Sequence, residues 1–226
     1  MINKESIIIS LWGSLVAPGE IDVGFLKRFR HSIKKYFNKN KFIVIIGGWK
    51  IAIIYQYVLS EFGAKSADRD LIGINVSRLN AEVVRQLFGG LAYSKIITDP
   101  NRKIKTEKNI IVGAGWKPGW STDYCAVLTA KNYGAKTIIN LTNVDYVYDR
   151  NPSQFPDAKS IKEIDWKDFR KIVGEKWTPG LNSPFDPRAT KLAEKLKLKV
   201  TIINGKNLER LDNFLNNKPF IGTIIK

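Results

Sequence analysis

The chain has 226 residues, of which 44% are hydrophobic, and a formal net charge of +16. This length fits one large α/β domain or two small ones, and no apolar run approaches the roughly 20 residues that span a bilayer. The lone cysteine, Cys125, excludes an internal disulfide, and the lone histidine, His31, lies among lysines and arginines typical of a solvated helix face. We expect a cytoplasmic protein whose chemistry uses carboxylates, lysines, hydroxyls and backbone amides.

The positive charge has two interpretations. Lysines and arginines are spread along the whole chain, which favours a solvated basic surface over a dedicated nucleic-acid-binding arm. Alternatively, the field of these charges attracts anionic ligands such as nucleotides or RNA. The charge alone therefore leaves a nucleic-acid-binding protein open as one hypothesis.

The predicted secondary structure alternates between strands and helices. A helical stripe of apolar residues runs from Phe25 to Phe37, and GTIIK at the end of the chain predicts a short closing strand. Short runs rich in β-branched residues recur along the chain: SIIISLW, KFIVIIGG, KNIIVGAG, KTIINLTN and KVTIINGK. Most are followed by amphipathic stretches, and this alternation predicts an α/β fold with a mainly parallel sheet covered by helices on both faces.

The loops that follow the predicted strands carry the functional signal, because ligands of such sheets bind at the carboxyl ends of the strands. Four of them have nucleotide-binding character: LWGSL (11–15), GGWK (47–50), GAGWKPGWSTD (113–123) and LTNVDYVYDRNP (141–152). The third precedes a helix whose N-terminal amides can hold an anion. A further long loop, WTPGLNSPFDP (177–187), is typical of functional loops. Together these loops indicate a nucleotide-handling α/β domain.

The order of these loops resembles the uridylate (UMP) kinases of the amino-acid kinase superfamily. The resemblance extends over almost the full length, and its most specific parts are GWKPGWSTD, TNVDYVYD and FDPRATKLAEK, with RLNA (78–81) as weaker support. It implies a single amino-acid kinase-like domain over residues 1–226, folded as a three-layer αβα sandwich. It also implies the transfer of the ATP γ-phosphate to UMP in pyrimidine nucleotide biosynthesis, with Mg²⁺ accompanying ATP.

The resemblance also implies a homo-oligomer, usually a hexamer. The region Phe25 to Phe62 contains more apolar side chains than one face of a sheet needs, which favours the same prediction.

The UMP side of the family pattern is intact in this sequence. The backbone amide of Gly48 is expected to approach the UMP phosphate, because glycine has no Cβ, and Asp70 is expected to accept hydrogen bonds from the ribose hydroxyls. An alternative for Asp70 is an ordinary carboxylate near a helix start, and the tryptophans alternatively serve only as packing aromatics. The UMP-binding residues implied by the resemblance are Gly48, Asp70, Trp116, Lys117, Pro118, Gly119, Trp120, Ser121 and Thr122.

The ATP side and the catalytic residues are matched less completely. The residues matched to ATP binding are Gly13, Ser14, Thr142, Asn143, Asp145 and Tyr148, and those matched to catalysis are Ser14, Lys50, Asp186 and Lys191. Phosphoryl transfer needs cations and amides around the moving charge, although a surface position is an equally good interpretation for either lysine. No protein residue is assigned as a metal ligand.

The sequence departs from the family pattern at four positions, three of which fall on the ATP phosphate channel. Trp12 and Trp49 occupy positions where the family has glycines, Ile53 replaces an arginine expected to reach the ATP phosphates, and Asn151 replaces an aspartate near the nucleotide. An indole fills volume that a triphosphate needs and restricts a backbone that glycine leaves free. The sequence therefore predicts a UMP kinase whose ATP phosphate site is obstructed unless the tryptophans rotate aside. The alternative is a non-catalytic nucleotide-binding or assembly protein on the same scaffold.

Overall fold

A computed structural model describes residues 4–175 and 183–226, and a central sheet of seven strands organises them. The strands are β1 (Glu5–Leu11), β2 (Asn40–Ile46), β3 (Ile110–Gly113), β4 (Thr137–Thr142), β7 (Glu163–Ile164), β8 (Lys199–Asn204) and β9 (Thr223–Ile225). Their order across the sheet is β3-β2-β1-β4-β8-β9-β7. Strands β3, β2, β1, β4 and β8 run parallel to one another. Strand β9 is antiparallel to β8. The predicted strands, including the closing one, are confirmed.

A separate two-stranded ribbon pairs β5 (Val147–Tyr148) with β6 (Ser160–Ile161) in antiparallel fashion. The helices are α1 (Gly13–Val16), α2 (Val23–Lys34), α3 (Trp49–Glu61), α4 (Ser66–Phe88), α5 (Thr122–Tyr133), α6 (Trp166–Val173), α7 (Pro187–Lys195) and α8 (Glu209–Leu215). Among the described residues, none of these helices combines the length and the apolar character needed to cross a membrane. Most of the loop predicted to be functional, residues 177–182, lies outside the described ranges.

Helices cover both faces of the sheet. One core packs α2 and α4 against the sheet through side chains such as Phe25, Phe29 and Phe88. The other packs α5, α6 and α7 through Ala126, Phe169 and Ala189. The central strands are buried on both faces, which explains why their sequences are continuous apolar runs. The predicted three-layer αβα sandwich is confirmed.

Side-chain caps mark the starts of three helices. Asp22 accepts from the amide of Phe25 at the start of α2. Ser121 and Asp186 accept from the backbone amides of Tyr124 and Ala189 at the starts of α5 and α7. These caps satisfy amides that have no partner within the helix. The caps of α5 and α7 also place two predicted site residues at the carboxyl edge of the sheet.

Candidate functional site

A cleft lies beyond the carboxyl ends of β1, β2 and β3, where the first three predicted nucleotide loops meet. Its walls include the three tryptophans Trp12, Trp49 and Trp120, and a cavity of about 190 Å³ remains between them. Its lining consists of Trp12, Gly13, Gly47, Gly48, Trp49, Ala52, Ile53, Gln56, Asp70, Gly73, Ile74, Ser77, Gly115, Trp120, Ser121, Thr122, Asp123, Ser183 and Asp186. The cleft therefore lies at the strand-end loops named from the sequence, and the nucleotide-binding roles of those loops stay predictions.

The first two glycine loops touch each other at the base of the cleft. A Cβ on Gly13 would lie 2.7 Å from the carbonyl oxygen of Gly47 and 2.8 Å from the carbonyl carbon of Gly48. The side-chain amide of Asn80 donates to the carbonyl of Gly47 at 3.0 Å. Asn80, which lies in α4, thus anchors the glycine turn that follows β2. It belongs to the RLNA motif, but the sequence did not identify it as a site residue.

Trp12 and Trp49 form a stacked pair at this turn. Their ring centroids are 5.9 Å apart with an interplanar angle of 30°, and both line the cleft. Trp49 has a φ of 52°, in the left-handed region that glycine occupies without steric cost. The two indoles therefore form part of the cleft wall.

Asp70 lies within α4 and faces the cleft. It is only 8% exposed, and its Oδ2 accepts from the amide of Gly119 at 2.5 Å. Burial raises the pKa of Asp70, and the Gly119 amide partly opposes that rise. The residue that caps α4 is Lys65, and the acid of its first turn is Asp68. The interpretation of Asp70 as an ordinary helix-start carboxylate is therefore the weaker one.

The loop expected to hold uracil and phosphate is divided between the cleft and its rim. Trp120, Ser121 and Thr122 line the cavity, whereas Trp116, Lys117, Pro118 and Gly119 are not among the described lining residues. Trp116 packs against the core of the α5 face, and the Lys117 ammonium lies 4.0 Å from the centroid of its ring. Trp120 packs on Tyr124 with centroids 4.3 Å apart. The packing alternative thus describes Trp116 better than Trp120.

Two carboxylates meet at the far side of the cleft. Asp123 is buried; its Oδ1 accepts from the hydroxyl of Ser10 at 2.8 Å, and its Oδ2 accepts from the amide of Asp186 at 3.2 Å. Asp186 uses Oδ1 to cap α7, while its buried Oδ2 has no hydrogen-bond partner within the described ranges. Burial, and after it the neighbouring Asp186 carboxylate, raises the pKa of Asp123 to about 7. Burial also raises the pKa of Asp186. Asp123 was not predicted from sequence, although it ends the GWKPGWSTD motif.

Asp123 makes the free energy of unfolding depend on pH. Its pKa is about 7 in the folded protein against an ordinary value of 3.8, so the folded state holds an extra proton between these values. The stabilisation is present at low pH and is lost as the pH rises towards 7. Asp123→Asn, which cannot ionise, should therefore gain stability relative to the parent as the pH rises from about 4 to about 7 in urea denaturation, and the difference should stay constant above that range. Parallel curves for the two proteins would contradict the assignment.

The residues matched to the ATP wall lie at the ends of β4 and β8. Thr142 ends β4 and is buried, and Tyr148 lies in the β5 strand of the small ribbon. Asp145 accepts from Asn204 at 2.7 Å and from Arg210 at 2.5 Å, and the bond from Arg210 lowers the pKa of Asp145. Asn204 also donates to the carbonyl of Asn143 at 3.3 Å. Asn204 and Arg210 order this wall, and no sequence motif indicated them.

The two candidate catalytic lysines occupy exposed positions. Lys191 forms an ion pair with Glu175, and neither Lys50 nor Lys191 is among the described lining residues of the cleft. Asn151, the fourth departure from the family pattern, accepts from the amide of Ser153 at 3.0 Å in an exposed turn. The roles of both lysines stay predictions.

Comparisons with known proteins identify the family. A model of the amino acid kinase family matches residues 5–204. Uridylate kinases from Methanobrevibacter smithii and Thermoplasma volcanium are each 32% identical to this chain. The first alignment covers 96% of this chain and 97% of the relative, and the second covers 99% and 98%. The crystal structure of uridylate kinase from Archaeoglobus fulgidus has a TM-score of 0.84 at 29% identity, covering 97% of this chain and 99% of that one. This chain belongs to the amino acid kinase family and resembles its uridylate kinases over nearly its whole length.

Proposed function

We propose that the protein transfers the γ-phosphate of ATP to UMP, giving UDP for pyrimidine nucleotide biosynthesis in the cytoplasm. Residues 1–226 act as one amino-acid kinase-like domain. The observation that carries this proposal is Asp70, a buried carboxylate that faces a cleft at the carboxyl edge of the sheet. A carboxylate in that position suits ribose hydroxyls, which donate hydrogen bonds to it. The resemblance to uridylate kinases supports the same acceptor.

The acceptor nucleotide extends along the cleft from Asp70. Its phosphate reaches the amide of Gly48, and Thr122 contributes a hydroxyl at the start of α5. Backbone amides at this helix start favour an anion. A Cβ on Gly48 would lie 2.9 Å from Cβ of Ala52 and 3.0 Å from the carbonyl oxygen of Gly73. Glycine at position 48 therefore keeps α3 and α4 close together beneath the acceptor phosphate.

The donor nucleotide binds on the side of Gly13, Ser14 and the β4 wall. Ser14 is buried and its Oγ has no hydrogen-bond partner within residues 4–175 and 183–226, which suits a contact with a phosphate oxygen. The unpartnered Oδ2 of Asp186 suits a cation in the same way. Mg²⁺ typically binds one or two protein carboxylates together with substrate phosphates, so the residues present fit Mg²⁺ carried by ATP. When bound, Mg²⁺ neutralises charge on the transferring phosphate.

The residues around the acceptor and donor supply position and charge rather than covalent chemistry. Asp186 is held rigidly because it caps α7 through Ala189 and donates its own amide to Asp123. Rigid placement matters because phosphoryl transfer depends on alignment of the two nucleotides. Asp123 thus positions Asp186 without contacting either nucleotide in this proposal.

A coupled assay for ADP release in the presence of UMP and ATP tests the proposal directly. We expect UMP-dependent ADP formation that disappears when UMP is omitted. Calorimetry with UMP alone separates binding from turnover. UMP binding without ADP release favours the non-catalytic alternative, and the absence of UMP binding contradicts both.

The non-catalytic alternative has a specific observation in its favour. The stacked pair of Trp12 and Trp49 projects into the cleft where glycines occur in the family pattern. An apolar wall does not replace the hydration of a triphosphate. In this alternative the protein binds UMP as a nucleotide-binding or assembly protein and does not turn over. A nucleic-acid-binding role rests on the net charge alone, and steep weakening of RNA binding with salt tests it.

Asp70→Ala should weaken UMP binding at least tenfold. Hydrogen bonds to a charged group contribute on the order of 1.5 to 3 kcal/mol, and Asp70 is the carboxylate expected to accept the ribose hydroxyls. Calorimetric titration with UMP measures the effect. Asp68→Ala, which removes an exposed acid from the first turn of the same helix, is the control and should bind UMP as the parent does. Equal affinity in Asp70→Ala and the parent would remove Asp70 from the site.

The exposed apolar face of α3 supports assembly into a homo-oligomer. Ile54, Tyr57 and Phe62 are 52%, 63% and 84% exposed, and Leu79 on the adjacent α4 is 67% exposed. Exposed apolar patches of this kind mark protein interfaces. We propose a hexamer built from dimers that bury this face.

Sedimentation at micromolar concentration should therefore give a mass well above that of one chain. Tyr57→Glu combined with Phe62→Glu should shift the protein towards smaller species, because a buried unpaired charge opposes association. Ile221→Glu introduces a charge at another exposed apolar position, 42% exposed, and should leave the assembly intact. A monomeric parent would refute the prediction.

A further inference from the structure

The lining of the cleft offers few groups that can bind an acceptor phosphate. Among the residues that the structure describes, it contains no lysine or arginine and three aspartates, Asp70, Asp123 and Asp186. A phosphate monoester carries a charge of about −1.5 to −2 near neutral pH. Neutral N–H and O–H donors of the lining are therefore the groups with which the protein itself can hold the phosphate.

Most polar side chains of the lining already have hydrogen-bond partners. Ser77 donates to a backbone carbonyl of its own helix at 2.7 Å and accepts from the amide of Gly115 at 3.0 Å. Ser121 caps α5, and Ser183 donates to a nearby backbone carbonyl at 2.9 Å. Gln56 differs from them, because its carboxamide lines the cleft and has no hydrogen-bond partner in the described part of the chain.

Gln56 extends from α3 over α4, between the two groups expected to hold the acceptor. A Cβ on Gly73 would lie 2.5 Å from Nε2 of Gln56 and 3.4 Å from its Cδ, so the carboxamide packs on bare backbone of α4. Gly73 is one helical turn from Asp70, and residues three apart on a helix are neighbours. A Cβ on Gly48 would lie 3.0 Å from the carbonyl oxygen of Gly73. The carboxamide thus has the predicted ribose carboxylate on one side and the predicted phosphate amide on the other.

Helical spacing explains why Gln56 faces the cleft. Ala52, Ile53 and Gln56 all line it, and residues three and four apart share one face of a helix. The Cβ of Ala52 would lie 2.9 Å from a Cβ on Gly48 and 3.7 Å from one on Gly73. Ala52 therefore joins the two glycines at the floor of the cleft, and Gln56 follows one turn further along the same wall.

We propose that the side-chain amide of Gln56 donates a hydrogen bond to the phosphate group of the acceptor nucleotide. The inference rests on the proposed function, because it assigns a further residue to the same acceptor site. A carboxamide carries two N–H donors, and a hydrogen bond to a charged acceptor is stronger than one between neutral groups. Gln56 binds and orients the phosphate beside Gly48, and it takes no part in proton transfer.

Paired titrations with UMP and uridine test the assignment, because the two ligands differ only by the phosphate. Gln56→Met keeps a side chain of similar length without the amide. It should weaken UMP binding about tenfold, equivalent to about 1.4 kcal/mol, and change uridine binding less than about twofold. Gln56→Glu keeps the shape but places an acceptor and a negative charge beside the phosphate, so it should weaken UMP binding more than Gln56→Met does. Gln154→Glu adds the same charge at an exposed position that is not among the described lining residues, and it should bind both ligands as the parent does.

The order of the two Gln56 variants distinguishes a phosphate contact from a ribose contact. A carboxylate accepts hydrogen bonds from ribose hydroxyls. A Gln56→Glu variant that binds UMP as tightly as Gln56→Met, or more tightly, would therefore overturn the inference, even where uridine binds too weakly to measure. Equal weakening of UMP and uridine in Gln56→Met would also overturn it.

The titrations also separate this inference from the proposed function. A parent that binds UMP and a Gln56→Met variant that binds it equally well would overturn the inference alone. A parent that binds no UMP would overturn the proposed function together with the inference. Circular dichroism checks that the variants are folded, and Gln56→Leu replaces Gln56→Met if that variant is not.

Discussion

Replacing Trp12 and Trp49 with glycine and Ile53 with arginine should raise the rate of UMP phosphorylation more than tenfold. The two indoles stack on each other at 5.9 Å and both line the cleft, so removal of one leaves the other in the channel. Ile53 lines the same cleft, and arginine there adds a phosphate-directed charge. A tenfold increase corresponds to a decrease of roughly 1.4 kcal/mol in the activation barrier. The three changes belong together because effects within one site are not additive.

The backbone around Trp49 favours the same substitution. Its φ of 52° costs an L-residue about 1 to 2 kcal/mol relative to ordinary helical geometry, and glycine adopts it without that cost. Trp49→Gly should therefore relieve strain at the start of α3. Removal of the stacked indole pair has an opposing effect, because the contacts between the two rings are lost. The triple variant is expected to remain folded, and thermal unfolding measures the balance of these two effects.

The coupled ADP-release assay measures the rates of the parent and the triple variant. Val23→Arg, which adds the same charge at a 56% exposed position on α2, should leave the rate unchanged. A parent that turns over at an ordinary rate of about 1 to 1,000 per second would refute the obstruction hypothesis. A folded triple variant that binds UMP without turnover would indicate that the defect lies at Asn151 or in the placement of a lysine.

The sequence predicted the fold well because the determinants of the fold are local. Runs such as Ile43–Ile46 are buried on both faces, and a continuous β-branched run is the pattern that such strands produce. The stripe from Phe25 to Ile33 forms the buried face of α2 for the same reason. The direction of β9 was not predictable, since the short apolar run in GTIIK carries no signal of how the strand is oriented in the sheet. It runs antiparallel to β8.

The site was predictable only where a local motif carries it. Glycine turns and the carboxyl ends of strands placed the cleft, but contacts between distant segments decided its chemistry. The hydrogen bond between Asp70 and Gly119 joins residues 49 positions apart in the sequence, and the one between Asp123 and Ser10 joins residues 113 positions apart. No periodicity or spacing encodes such pairs. The same limit explains why Asn80, Asn204 and Arg210 were not predicted as site residues.

Gly13→Ala should destabilise the protein by about 2 to 3 kcal/mol, near the upper part of the range for overpacked positions. The added Cβ would meet the carbonyl oxygen of Gly47 at 2.7 Å, and the carbonyl carbon of Gly48 and the Cβ of Trp49 at 2.8 Å. Two of these atoms belong to the backbone, and Asn80 holds the Gly47 carbonyl in place. The turn therefore cannot move aside as the end of a flexible side chain would.

Urea denaturation measures this loss, with Gly90→Ala as the matched control. A Cβ on Gly90 meets no atom within 4 Å, and its φ lies outside the left-handed range. That variant should be neutral or more stable by about 0.4 to 1 kcal/mol, because alanine restricts the unfolded chain. Equal stability of Gly13→Ala and the parent would mean that the loops after β1 and β2 separate easily. Such mobility would also allow Trp12 and Trp49 to leave the channel, so the same experiment tests the rigidity on which the obstruction hypothesis depends.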